Sequence, residues 1–104
     1  MILSNFRHAN LKDAYLRKAS FDKVEFAYGA FKNADFGKAD LKGVNFESAD
    51  LSGANFNRAS LNQAELNKTY AKKVNFVGAT LDLVNLTSTV MDNSKFFKAS
   101  INLF

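Results

Sequence analysis

Ala34-Asp-Phe-Gly-Lys38, Ala39-Asp-Leu-Lys-Gly43, Val44-Asn-Phe-Glu-Ser48, Ala49-Asp-Leu-Ser-Gly53, Ala54-Asn-Phe-Asn-Arg58, Ala59-Ser-Leu-Asn-Gln63: the middle of this chain, cut every five residues, repeats one pattern. A small residue is followed by a polar one, then Phe or Leu, then two free positions. Self-similarity at a fixed short period marks a solenoid, and it takes precedence over local propensities. Extended outward, the same register reaches both ends of the chain. Every fifth residue from Phe6 to Ile101 is a centre, and nineteen of these twenty are large and apolar; only Ala71 departs. Two residues before each centre (i−2) sits a small or β-branched residue, from Ala9, Ala14, Ala19 and Val24 through to Ala99.

A period of five fits neither regular element. On an α-helix, five residues turn about 500°, so the centres would scatter around the cylinder instead of forming a stripe. On a straight strand an odd period sends successive centres to opposite faces. Centres and their i−2 partners both point inward only if the backbone bends once per pentad, which makes a coil of short extended sides around a packed interior. Twenty residues give the most uniform columns. One centre column reads Leu16, Phe36, Phe56, Phe76, Phe96, and the next reads Phe21, Leu41, Leu61, Leu81, Ile101. Beside the second stack, the i−2 column is Ala19, Ala39, Ala59, Ala79, Ala99. Four pentads therefore make one turn, and the chain makes about five turns.

Ala-Asp-Leu-Ser-Gly and Ala-Asn-Phe-Asn-Arg resemble the A(D/N)LXX motif of the pentapeptide-repeat family, here in register over residues 4–103. That resemblance implies an all-β, right-handed quadrilateral β-helix with four pentapeptides per coil, forming a single domain over 1–104. It implies no enzymatic activity. Handedness comes from the resemblance alone. The expected packing is coils about 4.8 Å apart, so five coils span roughly 24 Å. Proline would delete a ladder bond, and the chain has none. Gly43, Gly53 and Gly78 all fall two residues after a centre (i+2), where a corner needs unusual dihedrals. Ala71, between Leu51 and Met91 in its column, predicts a locally repacked coil or a small cavity, with Tyr70 as the side chain to supply volume.

Composition excludes several classes of function. There is no cysteine, which removes disulfides, thiolate nucleophiles and Cys-ligated zinc. His8 is the only histidine, and no cofactor motif, metal cluster or nucleophile–base pair is present. The column Asn5, Glu25, Asn45, Glu65, Asn85 alternates amide and carboxylate, which avoids stacking like charges and reads as structural. No apolar run approaches the roughly 18 residues of a membrane span, and no signal-peptide core is evident. The expectation is a cytoplasmic, bacterial, non-enzymatic protein without cofactor or metal.

Charge is distributed unevenly. The side centred on Leu16, Phe36, Phe56, Phe76 and Phe96 carries Arg17, Lys18, Lys38, Arg58, Lys95 and Lys98 against one carboxylate, Asp35, for a net +5. The other three sides carry −1, +1 and −1. Lys18, Lys38, Arg58 and Lys98 align at i+2. A solvated row kept for solubility and a docking surface for an acidic protein both account for such an alignment. Direct DNA readout is not expected, because no groove-entering helix is present. The last coil breaks the polar-outside rule: Val90, Phe97, Leu103 and Phe104 join Val77 and Leu83 at outward or terminal positions. An open solenoid end needs a cap, so these residues predict a homodimer through the coil ends, a covering neighbour, or a piece of a longer chain. The family resemblance also brings two further functions into view. One is topoisomerase protection by DNA-mimicking members; the other is a repeat module of a secreted bacterial effector. The first is poorly matched by a net charge of +4 and by the lack of a C-terminal dimerisation helix.

Overall fold

The computed structural model describes residues 5–102. Their backbone winds into a four-sided β-helix. Parallel bridges tie each residue before a centre (i−1) to the residue twenty further on, from Asn5–Glu25 to Thr80–Ser100. Hydrogen bonds run both ways between coils. Phe36 N donates to Asn55 O at 2.7 Å and Lys38 N to Asn57 O at 2.8 Å, while Asp35 N donates back to Ala14 O at 2.9 Å. The ladder thus satisfies the extended backbone of each side, which a short isolated strand could not do.

The bend in each pentad has one cause. All nineteen i+2 residues from His8 to Lys98 take positive φ, sixteen of them non-glycine and three of them Gly43, Gly53 and Gly78. Positive φ at the third residue of a four-residue turn is the type II requirement. Its hydrogen bond closes behind it, as in Ala39 N to Phe36 O at 3.0 Å. The glycines mark this conformation in the sequence without being its only carriers.

The core is the set of inward columns. From Val24 to Leu81 every centre and nearly every i−2 residue is buried. Phe36, Phe56, Phe76 and Phe96 stack ring on ring, with centroids 5.0, 5.4 and 5.1 Å apart and planes within 4°, 8° and 13°. Phe26 and Phe46 form a second stack at 5.6 Å, and Phe31 meets both edge-on. Such pairs add about 0.5–1.5 kcal/mol beyond burial alone. The end layers are open, with Phe6 and Ile101 39% and 44% exposed. With extents of 30 × 26 × 22 Å, the molecule is nearly as broad as it is long.

Ala71 is buried, and Tyr70 does not compensate for its small side chain. Tyr70 stays 47% exposed and stacks with Lys72 Nζ at 5.3 Å, so it supplies no volume to the core. The turn after Ala71 is open, but so are those from Phe21 to Val24 and from Leu81 to Val84; all three end on valine at i−2, so the opening does not go with the small centre. Val74 N donates to Ser94 Oγ at 3.2 Å, and that hydroxyl donates to Ala71 O at 2.8 Å. A hydroxyl of the next coil is thus inserted into the turn. The two threonines at i−2 have long turn bonds, Thr69 N lying 3.4 Å from Leu66 O and Thr89 N 3.3 Å from Leu86 O, whereas Val44 N lies 3.1 Å from Leu41 O.

Candidate functional site: the basic side

Lys18, Lys38, Arg58 and Lys98 project from corners of the same edge, each in the left-handed conformation with φ of 63°, 58°, 58° and 59°. The coil repeat sets their axial separation at about 4.8 Å between neighbours. Gly78 holds the fourth corner of this row, between Arg58 and Lys98. A Cβ there would lie 3.1 Å from Arg58 Cγ, so the arginine leans along the edge onto the next coil. Lys98 Nζ lies 5.4 Å from the Phe97 ring, which is 68% exposed. Lys95 completes the set of cations near the C-terminal end.

Arg17 behaves differently from the other five. Its Nη1 lies 3.3 Å from Asp35 Oδ1, with both side chains about a quarter exposed. Asp35 Oδ1 also accepts from Gly37 N at 2.9 Å and Asn55 Nδ2 at 3.2 Å. A Cβ on Gly37 would collide with Arg17 Nη1, so glycine is what lets the guanidinium cross this position. The sequence held a signal for this pairing. An arginine just after a centre (i+1) and a carboxylate eighteen residues later recur in Arg7 and Glu25, whose atoms lie 3.7 Å apart. Among the described residues these two are the only ion pairs. Lys18, Lys38, Arg58, Lys95 and Lys98 thus have no carboxylate partner there.

Elsewhere the polar residues serve the fold. Asn45 Nδ2 donates to Glu25 Oε1 and Asn85 Nδ2 to Glu65 Oε2, both at 3.0 Å, so the alternating column is a hydrogen-bonded ladder. Asn45 Oδ1 also accepts from Glu47 N at 2.9 Å, fixing the turn that follows. The His8 ring stacks on Tyr28 at 5.1 Å, while the Arg7 guanidinium sits 5.0 Å from the same tyrosine ring. The Tyr70 hydroxyl beside Lys72 raises that ammonium's pKa above the ordinary lysine value.

At the ends, Val90 and Phe97 are exposed, by 38% and 68%; Leu103 and Phe104 lie outside the described residues. The first coil is open too. Phe6, Ala9, Leu11, Leu16, Phe21 and Phe26 line a wholly apolar hollow of about 220 Å³. No helix of the described residues is long and apolar enough to cross a membrane.

A coil that stacks like residues every twenty positions, with a net charge of +5 on one side and between −1 and +1 on each of the others, defines a solenoid repeat protein. Comparison with known proteins places it further. The chain matches the model of a pentapeptide repeat region over residues 39–102 and the model of pentapeptide repeats (8 copies) over residues 2–43. It belongs to the pentapeptide-repeat family. A pentapeptide repeat protein of the Arabidopsis thaliana thylakoid lumen superposes with a TM-score of 0.73 at 22% identity, over 92% of this chain and 63% of that one. A trypsin-treated variant of QnrB1, a plasmid-mediated fluoroquinolone resistance protein, superposes with a TM-score of 0.58 at 17% identity, over 97% of this chain and 68% of that one. The chain is thus a right-handed quadrilateral β-helix spanning about two thirds of these neighbours' lengths. No curated protein matches it.

Proposed function

We propose that this chain is a non-enzymatic scaffold that binds an acidic protein surface through its basic side. The supporting observation is the row of cations without internal carboxylate partners, four of them fixed at corners of one edge. Like charges a coil apart repel, and an anionic partner relieves that repulsion. Corner residues are held by the turn and its ladder bonds, so the row meets a partner with little backbone entropy left to lose. The expected partner is a protein presenting a row of carboxylates, captured in a salt-dependent way because exposed charges are screened over about 8–10 Å at physiological ionic strength.

The test replaces Lys18, Lys38, Arg58 and Lys98 with Gln and compares partner capture from native lysate. Loss of salt-sensitive partners with the fold intact by circular dichroism is the expected result. An unchanged set of partners removes the basic-side reading. Topoisomerase protection by DNA mimicry requires an acidic surface, whereas no side of this chain carries a net charge below −1. Rescue of DNA gyrase from a quinolone in a supercoiling assay would reverse that ordering. The open coil ends are the second interaction surface in this reading, and there a second copy of the chain is the expected partner.

A further inference from the structure

The two ends of the described coil are complementary in backbone polarity. In the last coil the N–H groups of Met91, Asn93, Phe96, Lys98 and Ile101 and the carbonyls of Thr89 and Ser94 have no backbone partner among the described residues. In the first coil the carbonyls of Asn10, Lys12, Tyr15, Arg17 and Ser20 and the N–H groups of Asn10, Tyr15 and Ser20 are likewise unpartnered. These are the donors and acceptors that interior coils exchange, so the last coil of one molecule matches the first coil of another. The same pole turned on itself would run its strands antiparallel, unlike every bridge in the interior. A parallel ladder therefore continues head to tail.

Every side has the same pentad backbone, so hydrogen bonding alone permits four rotations of the upper copy. Charge selects among them. Corner side chains touch the corner one coil on, as Lys23 over Gly43 and Arg58 over Gly78 show, each Cγ lying 3.1 Å from a Cβ built there. The four corners of the first coil are His8, Asp13, Lys18 and Lys23; the last coil has one charged corner among its described residues, Lys98. Only one rotation sets an acid over that lysine, and it is a quarter turn that brings Asp13 there. The same quarter turn places Arg7 over Asp92, which is the only charge just after a centre in the last coil, and Lys12 over the exposed ring of Phe97. Inside, it places Leu11 over Phe96 and Phe6 over Met91, closing the apolar hollow. With no turn, Lys18 meets Lys98; with a quarter turn backward, Lys23 does.

We infer that the chain assembles head to tail, the last coil of one molecule seated on the first coil of the next, rotated by one side, with Lys98–Asp13 and Asp92–Arg7 pairs fixing the rotation. The inference deepens the end-association reading above and rests on it. The contact buries on the order of 600 Å² per copy, near the low end for a specific interface, so association is weak and depends on concentration. It is heterologous and does not close, so it grows into a series of species.

Sedimentation velocity from about 1 to 500 µM, at low and high salt, reads this out. The wild type should pass from monomer through dimer to longer species, with salt reversing the change. Lys98→Glu alone and Asp13→Lys alone should each weaken association at least tenfold. An equimolar mixture of the two should associate again, because each mutant end then meets its complement. A monomeric wild type at all concentrations removes both this inference and the end-association reading. Association unaffected by either substitution, or a dimer that never grows, leaves end association standing and overturns the head-to-tail register.

Discussion

At the scale of single residues, two chemistries decide where each side chain goes. Phe56 sits between Phe36 and Phe76 at 5.0 and 5.4 Å and has no exposed surface. Replacing it with Ala removes a ring from the middle of a stack that cannot collapse without shortening the coil. Phe56→Ala should cost about 3–5 kcal/mol in denaturant unfolding, and Phe6→Ala, at the open end, clearly less. The corners follow backbone sterics instead. A non-glycine residue with positive φ bears about 1–2 kcal/mol of strain, partly offset by glycine's greater freedom when unfolded. Lys73, exposed with φ 58°, should therefore stabilise the fold by roughly 0.5–1 kcal/mol when changed to Gly. Gly53→Ala, where φ is +71° and a Cβ would press on the Asn33 side chain, should do the reverse. Thermal melts of the two variants check both signs.

At the scale of the pentad and its turn, much was legible in the sequence. The centres and the i−2 residues announce the inward columns because only apolar or small side chains fit there. Bends at i+2 were flagged by three glycines and more weakly by His8, Asp13, Asn33 and Asn93, whose residue types favour positive φ, but Lys, Arg, Tyr, Ser, Gln and Leu hold the other corners and do not mark it. Contacts between coils eighteen residues apart show in the sequence only as a recurring spacing, Arg7 to Glu25 and Arg17 to Asp35. Arg17 looked like one more cation of the basic row until the coil brought it onto Asp35. Tyr70, adjacent to Ala71, turns outward, and the hydroxyl that reaches Ala71 O is that of Ser94, twenty-three residues on, as Thr89 reaches Leu66 O at the same spacing. Ser94→Ala leaves Val74 N and Ala71 O without the hydroxyl that joins them, and should cost about 1–3 kcal/mol. In the carboxylate–amide column, Asn45→Asp would stack three acids in consecutive coils and remove the donor to Glu25. The loss should be about 0.5–2 kcal/mol at neutral pH and should shrink below about pH 3, where the carboxylates are protonated. Unfolding midpoints of wild type and variant at the two pH values test this.

At the scale of the whole molecule, the fold is a device for repetition. Columns that bury Phe and Leu also carry surface residues into rows, so cations at 18, 38, 58 and 98 become an edge of charge interrupted at Gly78. The row was readable once the period was known, because its residues recur every twenty positions. What binds there was not, since a solvated row and a docking row have the same sequence. Partner capture with Lys18, Lys38, Arg58 and Lys98 replaced distinguishes them. Salt should weaken wild-type capture strongly and leave any residual capture by the variant nearly unchanged.

All of these expectations depend on residues twenty apart lying over one another while residues ten apart lie on opposite sides. The chain has no cysteine, so paired labels can be placed without background. Pyrene-labelled cysteines introduced as Lys38→Cys with Arg58→Cys should give strong excimer emission, and the pair Lys38→Cys with Ser48→Cys should give monomer emission alone. Excimer emission from the second pair, or none from the first in a folded protein, contradicts the account.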